Sequence, residues 1–175
     1  LSEHGDEGVE MTTCSYINFY YNTVLLNTPN SNNAKVLYLN YCINPTINII
    51  NNNLVALDKG YCIFATQDNQ VNLCDYNNLY TTGNYLAYWG EKCADLRTLK
   101  QVSEKNEHSI SAYPNFSSNE LPVPNSAWLD GAGTPVGSIL VDIDSVDRDD
   151  TYPDIGAWEF SAGAGTSPPM AGSYT

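Results

Sequence analysis

The sequence predicts an all-β fold, a parallel β-solenoid in which short strands stack coil upon coil, and three observations carry that prediction. Strand-like segments GVEMTT, AKVLYL, GYCIFA and NYLAYW begin at residues 8, 34, 60 and 84, so successive starts lie 26, 26 and 24 residues apart. A second series, INFYYNTVLL from Ile17, INIINNNLVAL from Ile47 and VNLCDYNNLYTT from Val71, follows in phase. Between them lie NTPNSNN, NYCINPT, ALDKG, TQDNQ and TTGN, and no NG or DG hairpin turn interrupts the first 90 residues. A period in the mid-twenties with two or three short strands is the pattern of stacked coils, whereas a hairpin sandwich needs the tight turns that are missing here.

Residues 1–116 read as coils of β-branched, aromatic and aliphatic segments bounded by turn residues, two strands recurring per period. If Ile17, Ile47 and Val71 are equivalent, Asn18, Asn48 and Asn72 form one column. Asn22, Asn52 and Asn77 form another once a one-residue insertion near Asp75 is allowed. Stacked amides hydrogen-bond along such an axis, so the columns are first of all structural. Within a strand neighbours face opposite sides, so Tyr20 and Tyr21 cannot both point inward. After Trp89 the pattern breaks: Asp95 caps a short helix over residues 95–106, with Leu96, Leu99 and Val102 on one face. HSISAYPNF then returns as a strand. Residues 117–160, richer in Pro and Gly, read as an irregular closing segment of the same domain, packed over the last coils to cover a sheet edge. Residues 161–175 read as a linker or tail.

The pieces NNLYTTGNYLAYWG, HSISAYPNF, DGAGTPVG, VDIDSVDR and PDIGAWEF together resemble the C-terminal part of secreted right-handed parallel β-helix repeat proteins of bacteria, Bacteroidetes-type surface proteins especially. The resemblance runs from Gly8 to Phe160, and its most specific part is DIDxxxR followed by PDIGAxEF. It implies an all-β, right-handed parallel β-helix (solenoid) with a short helix and an irregular C-terminal closing segment, outside the cell or on its surface. Ile155, Trp158 and Phe160 are the expected packing anchors of that segment. Ser145 stands where the family has Gly, at a turn expected to need φ > 0. Family members are longer, so the first coil is expected to present a bare edge to other copies of the chain or to the rest of a longer one.

Composition narrows the partners. Twenty acids face seven bases for a formal net charge of -13, a poor match to nucleic acid or to anionic membrane. No apolar run approaches the roughly 20 residues of a membrane helix, so membrane insertion is not expected. The five cysteines, Cys14, Cys42, Cys62, Cys74 and Cys93, contain no CxxC pair. Zinc-knuckle and thioredoxin-like spacings are therefore absent, and small apolar core residues are the favoured reading over a disulfide framework.

Candidate chemistry lies in three places. Asp142, Asp144, Asp147, Asp149 and Asp150 invite a calcium ion, but an EF-hand loop counted from Asp142 puts Val146 at position 5 and Pro153 at position 12. An irregular oxygen cage is the remaining calcium option; the competing reading is a solvated acidic turn with Arg148 pairing one carboxylate. Tyr38, Tyr61, Tyr88 and Trp89 are candidate platforms for sugar rings, or core residues instead. Asn115 opens an N-glycosylation sequon, and Asp144-Ser145-Val146 and Asp150-Thr151 resemble the short O-glycosylation motif of Bacteroidetes proteins, with Ser145 and Thr151 as acceptors. The resemblance also brings in lyases with a Lys or Arg base and hydrolases with paired carboxylates. Here the bases are scattered, His4 and His108 stand alone, and no nucleophile setting is recognisable. The expectation is a non-catalytic structural, adhesion or fibre-forming segment of a surface protein. The alternatives are a C-terminal fragment of a polysaccharide lyase or glycoside hydrolase, or a carbohydrate-binding module.

Overall fold

A computed structural model describes residues 6–29, 31–42, 46–67, 69–118 and 120–162; most of the tail expected over 161–175 lies outside them. Three coils stack. The first holds β1 (Glu7–Thr12), β2 (Asn18–Tyr20) and β3 (Thr23–Leu26). The second holds β4 (Lys35–Asn40), β5 (Ile47–Ile50) and β6 (Asn53–Ala56), and the third β7 (Tyr61–Ala65), β8 (Val71–Asp75) and β9 (Asn78–Thr81). Equivalent strands pair in parallel, giving one sheet of order β2-β5-β8 and one of order β3-β6-β9. The first sheet, β1-β4-β7, is extended by β10 (Ala87–Trp89) in parallel and β11 (Lys92–Cys93) antiparallel. The chain is thus a parallel β-solenoid of about three turns.

Each coil has three strands, not two, because the second segment breaks in its middle. Tyr21, Asn51 and Tyr76 occupy equivalent corners with φ of 52°, 58° and 54°. The left-handed region turns the strand direction in one residue, a conformation that costs a side-chain-bearing residue about 1 kcal/mol and is repaid by coil stacking. The one-residue insertion is also displaced from its expected place near Asp75. Ile47 pairs with Val71 but Asn48 with Leu73, so the bulge sits at Asn72.

Inward side chains meet their equivalents coil by coil. Val9, Leu37, Ile63 and Ala87 make one column, and Met11, Leu39, Ala65 and Trp89 another. Leu39, Ile49, Leu54 and Leu79 are fully buried in the same core, where truncation of a leucine to alanine typically costs about 2–5 kcal/mol. Cys42, Cys62, Cys74 and Cys93 lie buried with their thiols free, as expected of small apolar residues.

Both predicted amide columns form. Asn48 Nδ2 donates to Asn18 Oδ1 at 2.8 Å and Asn72 Nδ2 to Asn48 Oδ1 at 2.9 Å, on the outside of the second sheet. Asn22 Nδ2 donates to Asn52 Oδ1 at 2.9 Å and Asn52 Nδ2 to Asn77 Oδ1 at 3.0 Å, just past the corner and largely buried.

The third coil is covered by residues 92–112. Helix α1 (Leu96–Ser103) starts at Asp95, whose carboxylate accepts from the Thr98 amide, and buries Leu99. It ends sooner than the expected residue 106: Ser103 Oγ bonds the Leu99 carbonyl, and Glu104 turns left-handed with its amide on the Lys100 carbonyl. HSISAYPNF makes one bridge, Asn78 to Ile110, rather than a strand, since Ala112 N already bonds the Asn78 side chain instead of backbone.

The closing segment is not where the sequence placed it. It lies along the corner of the first and second coils, not over the last. Asn51 accepts from the Thr134 amide at 2.9 Å and donates to the Thr134 carbonyl at 2.7 Å, while Tyr21 OH reaches the same carbonyl at 2.8 Å. Gly156 N bonds the Asn51 carbonyl and Ala157 N bonds Thr23 Oγ1. Gly156 has φ +110°, and a Cβ there would meet Thr23 Oγ1 at 2.7 Å. This close approach is why the PDIGAWEF stretch needs its glycine.

Candidate functional site

Alternation in the first sheet sends Tyr38, Phe64 and Tyr88 outward in one column, below Glu10 of β1. Phe64 stacks on Tyr88 with centroids 4.5 Å apart and meets Tyr38 edge-on at 5.7 Å. Tyr61 contacts Phe64 edge-on and stacks on Tyr85, 6.3 Å away. Lys35 Nζ lies 4.5 Å from the Tyr38 ring and is held by Glu7 at 2.7 Å; Lys92 Nζ lies 4.8 Å from the Tyr85 ring. Two bases that look scattered in the sequence therefore share one aromatic face. Beside it, Asn32, Asn33, Asn84, Tyr61, Tyr85 and Lys92 line a cleft of about 250 Å³.

Of the four expected sugar platforms, Tyr38 and Tyr88 lie half-buried on this face, while Tyr61 lines the cleft but is buried, 7% exposed. Trp89 is a correction. It is 1% exposed and points into the core, because it follows the outward Tyr88 by one residue. Phe64 was missed as a platform; stepping one residue from the buried Ile63, onto the opposite face of the strand, would have found it.

The acidic loop does not converge on a centre. Asp142 is buried, and its Oδ1 accepts from the Asp144 and Val146 amides and its Oδ2 from the Glu159 amide, all within 2.8–2.9 Å. Burial raises its pKa, but the three amides together with Arg148 outweigh this and hold the carboxyl below its ordinary value. Exposed Asp149 accepts from the Thr151 and Tyr152 amides, which lower its pKa. Asp144, Asp147 and Asp150 are exposed. Among the described residues no three His, Cys, Asp or Glu side chains gather as a metal site.

Arg148 does pair one carboxylate of this stretch, that of Glu159 at 3.2 Å. It donates to the Gly156 and Ala157 carbonyls and stacks on the Tyr21 ring at 3.9 Å, so this buried cation fastens PDIGAWEF to the coil corner. Asp154, 2% exposed, is pushed up to about 7 by burial, against the pull of the Phe160 and Gly131 amides.

Asn115, Ser145 and Thr151 are all exposed. Ser145 has φ 66°, the left-handed conformation expected where the family carries Gly. His108 is not alone: its Nδ1 lies 2.8 Å from Asp75 Oδ2 and its ring stacks on Tyr76 at 4.6 Å, tying the end cover to the third coil.

At the end of the first coil, Val9, Phe19 and Val24 pack against the core but stay partly open. Among the described residues β1, β2 and β3 each pair on one side only. Val9, Phe19 and Val24 of that coil, with Val141, Ile143 and Trp158 of the closing segment, border a cavity of about 420 Å³. Val141 and Ile143 are exposed, as are Leu140 and Val146 beside them. In comparisons with protein-family models, with curated proteins and with solved structures, nothing matches the chain.

Proposed function

We propose that the chain is a structural segment of an extracellular bacterial surface protein, adhesive or fibre-forming, that assembles by docking a coil of a second copy onto its first coil. The apolar end carries this reading. Among the described residues three strand edges with unpaired backbone groups surround Val9, Phe19 and Val24, and the closing segment adds Val141 and Ile143 to the same surface. Sheet edges recruit strands and exposed apolar patches recruit partners, so both terms favour the same occupant. The right-handed winding and the Bacteroidetes-type origin rest on the VDIDSVDR and PDIGAWEF resemblance. Sedimentation velocity across a concentration series tests the assembly. Self-association that Ile143→Lys abolishes, at an exposed position where folding is unaffected, supports it; a monomer at every concentration overturns it.

A second reading has its own observation. The cleft between Asn32, Asn33, Asn84, Tyr61, Tyr85 and Lys92 combines ring faces, amides and an ammonium, the groups that take up sugar rings and hydroxyls. As a carbohydrate-binding module, the chain binds soluble polysaccharide in titration calorimetry, and Tyr85→Ala weakens binding at least tenfold. Absence of heat across a panel of neutral and acidic glycans removes this reading.

A further inference from the structure

We propose that Cys14 and Cys42 are a covalent modification site, oxidised to a disulfide that clamps the first coil to the second. The two residues are in register: β1 pairs with β4 as Met11 with Leu39 and Thr12 with Asn40, and the same offset carries Cys14 onto Cys42. Adjacent parallel strands are about 4.8 Å apart, inside the Cα separation that a disulfide spans. The Sγ atoms already lie 3.2 Å apart, so closing to the covalent length of about 2.05 Å needs only small side-chain rotations. The Thr13 amide on the Asn40 carbonyl, at 3.0 Å, fixes the backbone between them.

The other three cysteines have different company. Cys74 Sγ donates to Asn106 Oδ1, Cys93 Sγ faces the Glu91 carbonyl, and Cys62 is fully buried. Only Cys14 is partly open to solvent, which sets the order of events. The Cys14 thiolate attacks a low-molecular-weight disulfide such as oxidised glutathione, forming a mixed disulfide and releasing one thiol. Cys42, losing its proton, then attacks the Cys14 sulfur and releases the second thiol. Two protein thiols are oxidised and one glutathione disulfide is reduced to two thiols. Desolvation and the neighbouring Cys42 push the Cys14 thiol up to about 11, so the exchange is slow at neutral pH and accelerates as pH rises.

The test is to equilibrate the full chain with a glutathione redox buffer of extracellular poise, quench with acid, and count thiols after denaturation. The expected result is three free thiols in place of five, with a peptide map that joins the Cys14 peptide to the Cys42 peptide. Melting temperature rises by about 5–15 °C over the reduced form. Cys14→Ser, at the more exposed partner, folds and shows neither the link nor the rise, and Cys62→Ser retains both. Five thiols remaining at that poise, or a link to any other cysteine, overturns the proposal. Neither readout depends on whether the first coil docks a second copy.

Discussion

Asp142 shows how one side chain organises a turn without any metal. Three amides converge on its carboxylate, and Asp142→Ala leaves them without an acceptor at a cost of about 2–4 kcal/mol in chemical denaturation. Because its folded pKa is depressed, its contribution is present above the ordinary value of 3.8 and lost as pH falls through the folded value. Melting temperature therefore drops below about pH 4, and Asp142→Asn flattens that limb. Asp154 acts with the opposite sign. Its folded pKa is raised to about 7, so its favourable contribution is full below the ordinary carboxyl range and is lost as pH rises through 7. Asp154→Asn is expected to remove that slope. Ser145, strained at φ 66°, predicts that Ser145→Gly raises stability by about 0.5–1 kcal/mol. Ser145 was readable through the resemblance, which implies a Gly at that turn. Arg148 was readable as the partner of one carboxylate, but its stacking on Tyr21 was not, because only the folded chain brings that ring near.

Among elements, the two amide columns differ in burial and so in energy. Asn52 is fully buried, accepts from Asn22 and donates to the Phe19 and Ile50 carbonyls as well as to Asn77. Asn52→Ala is expected to cost about 3–5 kcal/mol, because several buried groups lose their partner together. Asn48→Ala, in the outer column, is expected to cost under about 1 kcal/mol in the same urea titration. Both columns were legible because the same Asn positions recur in the second segment of three coils, although the coils differ in length. The corner between strands was not, since Tyr21, Asn51 and Tyr76 share a backbone conformation rather than a residue type. The same limit governs the aromatic face. Periodicity gathered the tyrosines, but only the strand phase separates outward Tyr88 from inward Trp89.

For the whole molecule, the coils were readable from period and turn chemistry while the path of the closing segment was not. Nothing periodic in residues 129–160 says which coil they meet; Thr134, Gly156 and Ala157 contribute only backbone groups, which any sequence offers, to bonds with Asn51 and Thr23. Since cohesion comes from stacked apolar columns and amide-filled carboxylates, a chelator is expected to leave the melting temperature within about 1 °C of its untreated value, whereas a bound calcium ion would be lost with a clear fall. The amide columns have one more consequence. The outer ladder runs with its donors aimed at the first coil and the inner ladder with its donors aimed away. At the open end Asn18 therefore offers an N–H and Asn22 an oxygen. An incoming coil meets a two-contact key of opposite polarity: it must bring an acceptor to one position and a donor to the other. Under the proposed docking, a coil arriving one residue out of step would bring neither, so the two amide columns would select the alignment of the joining coil as well as the surface.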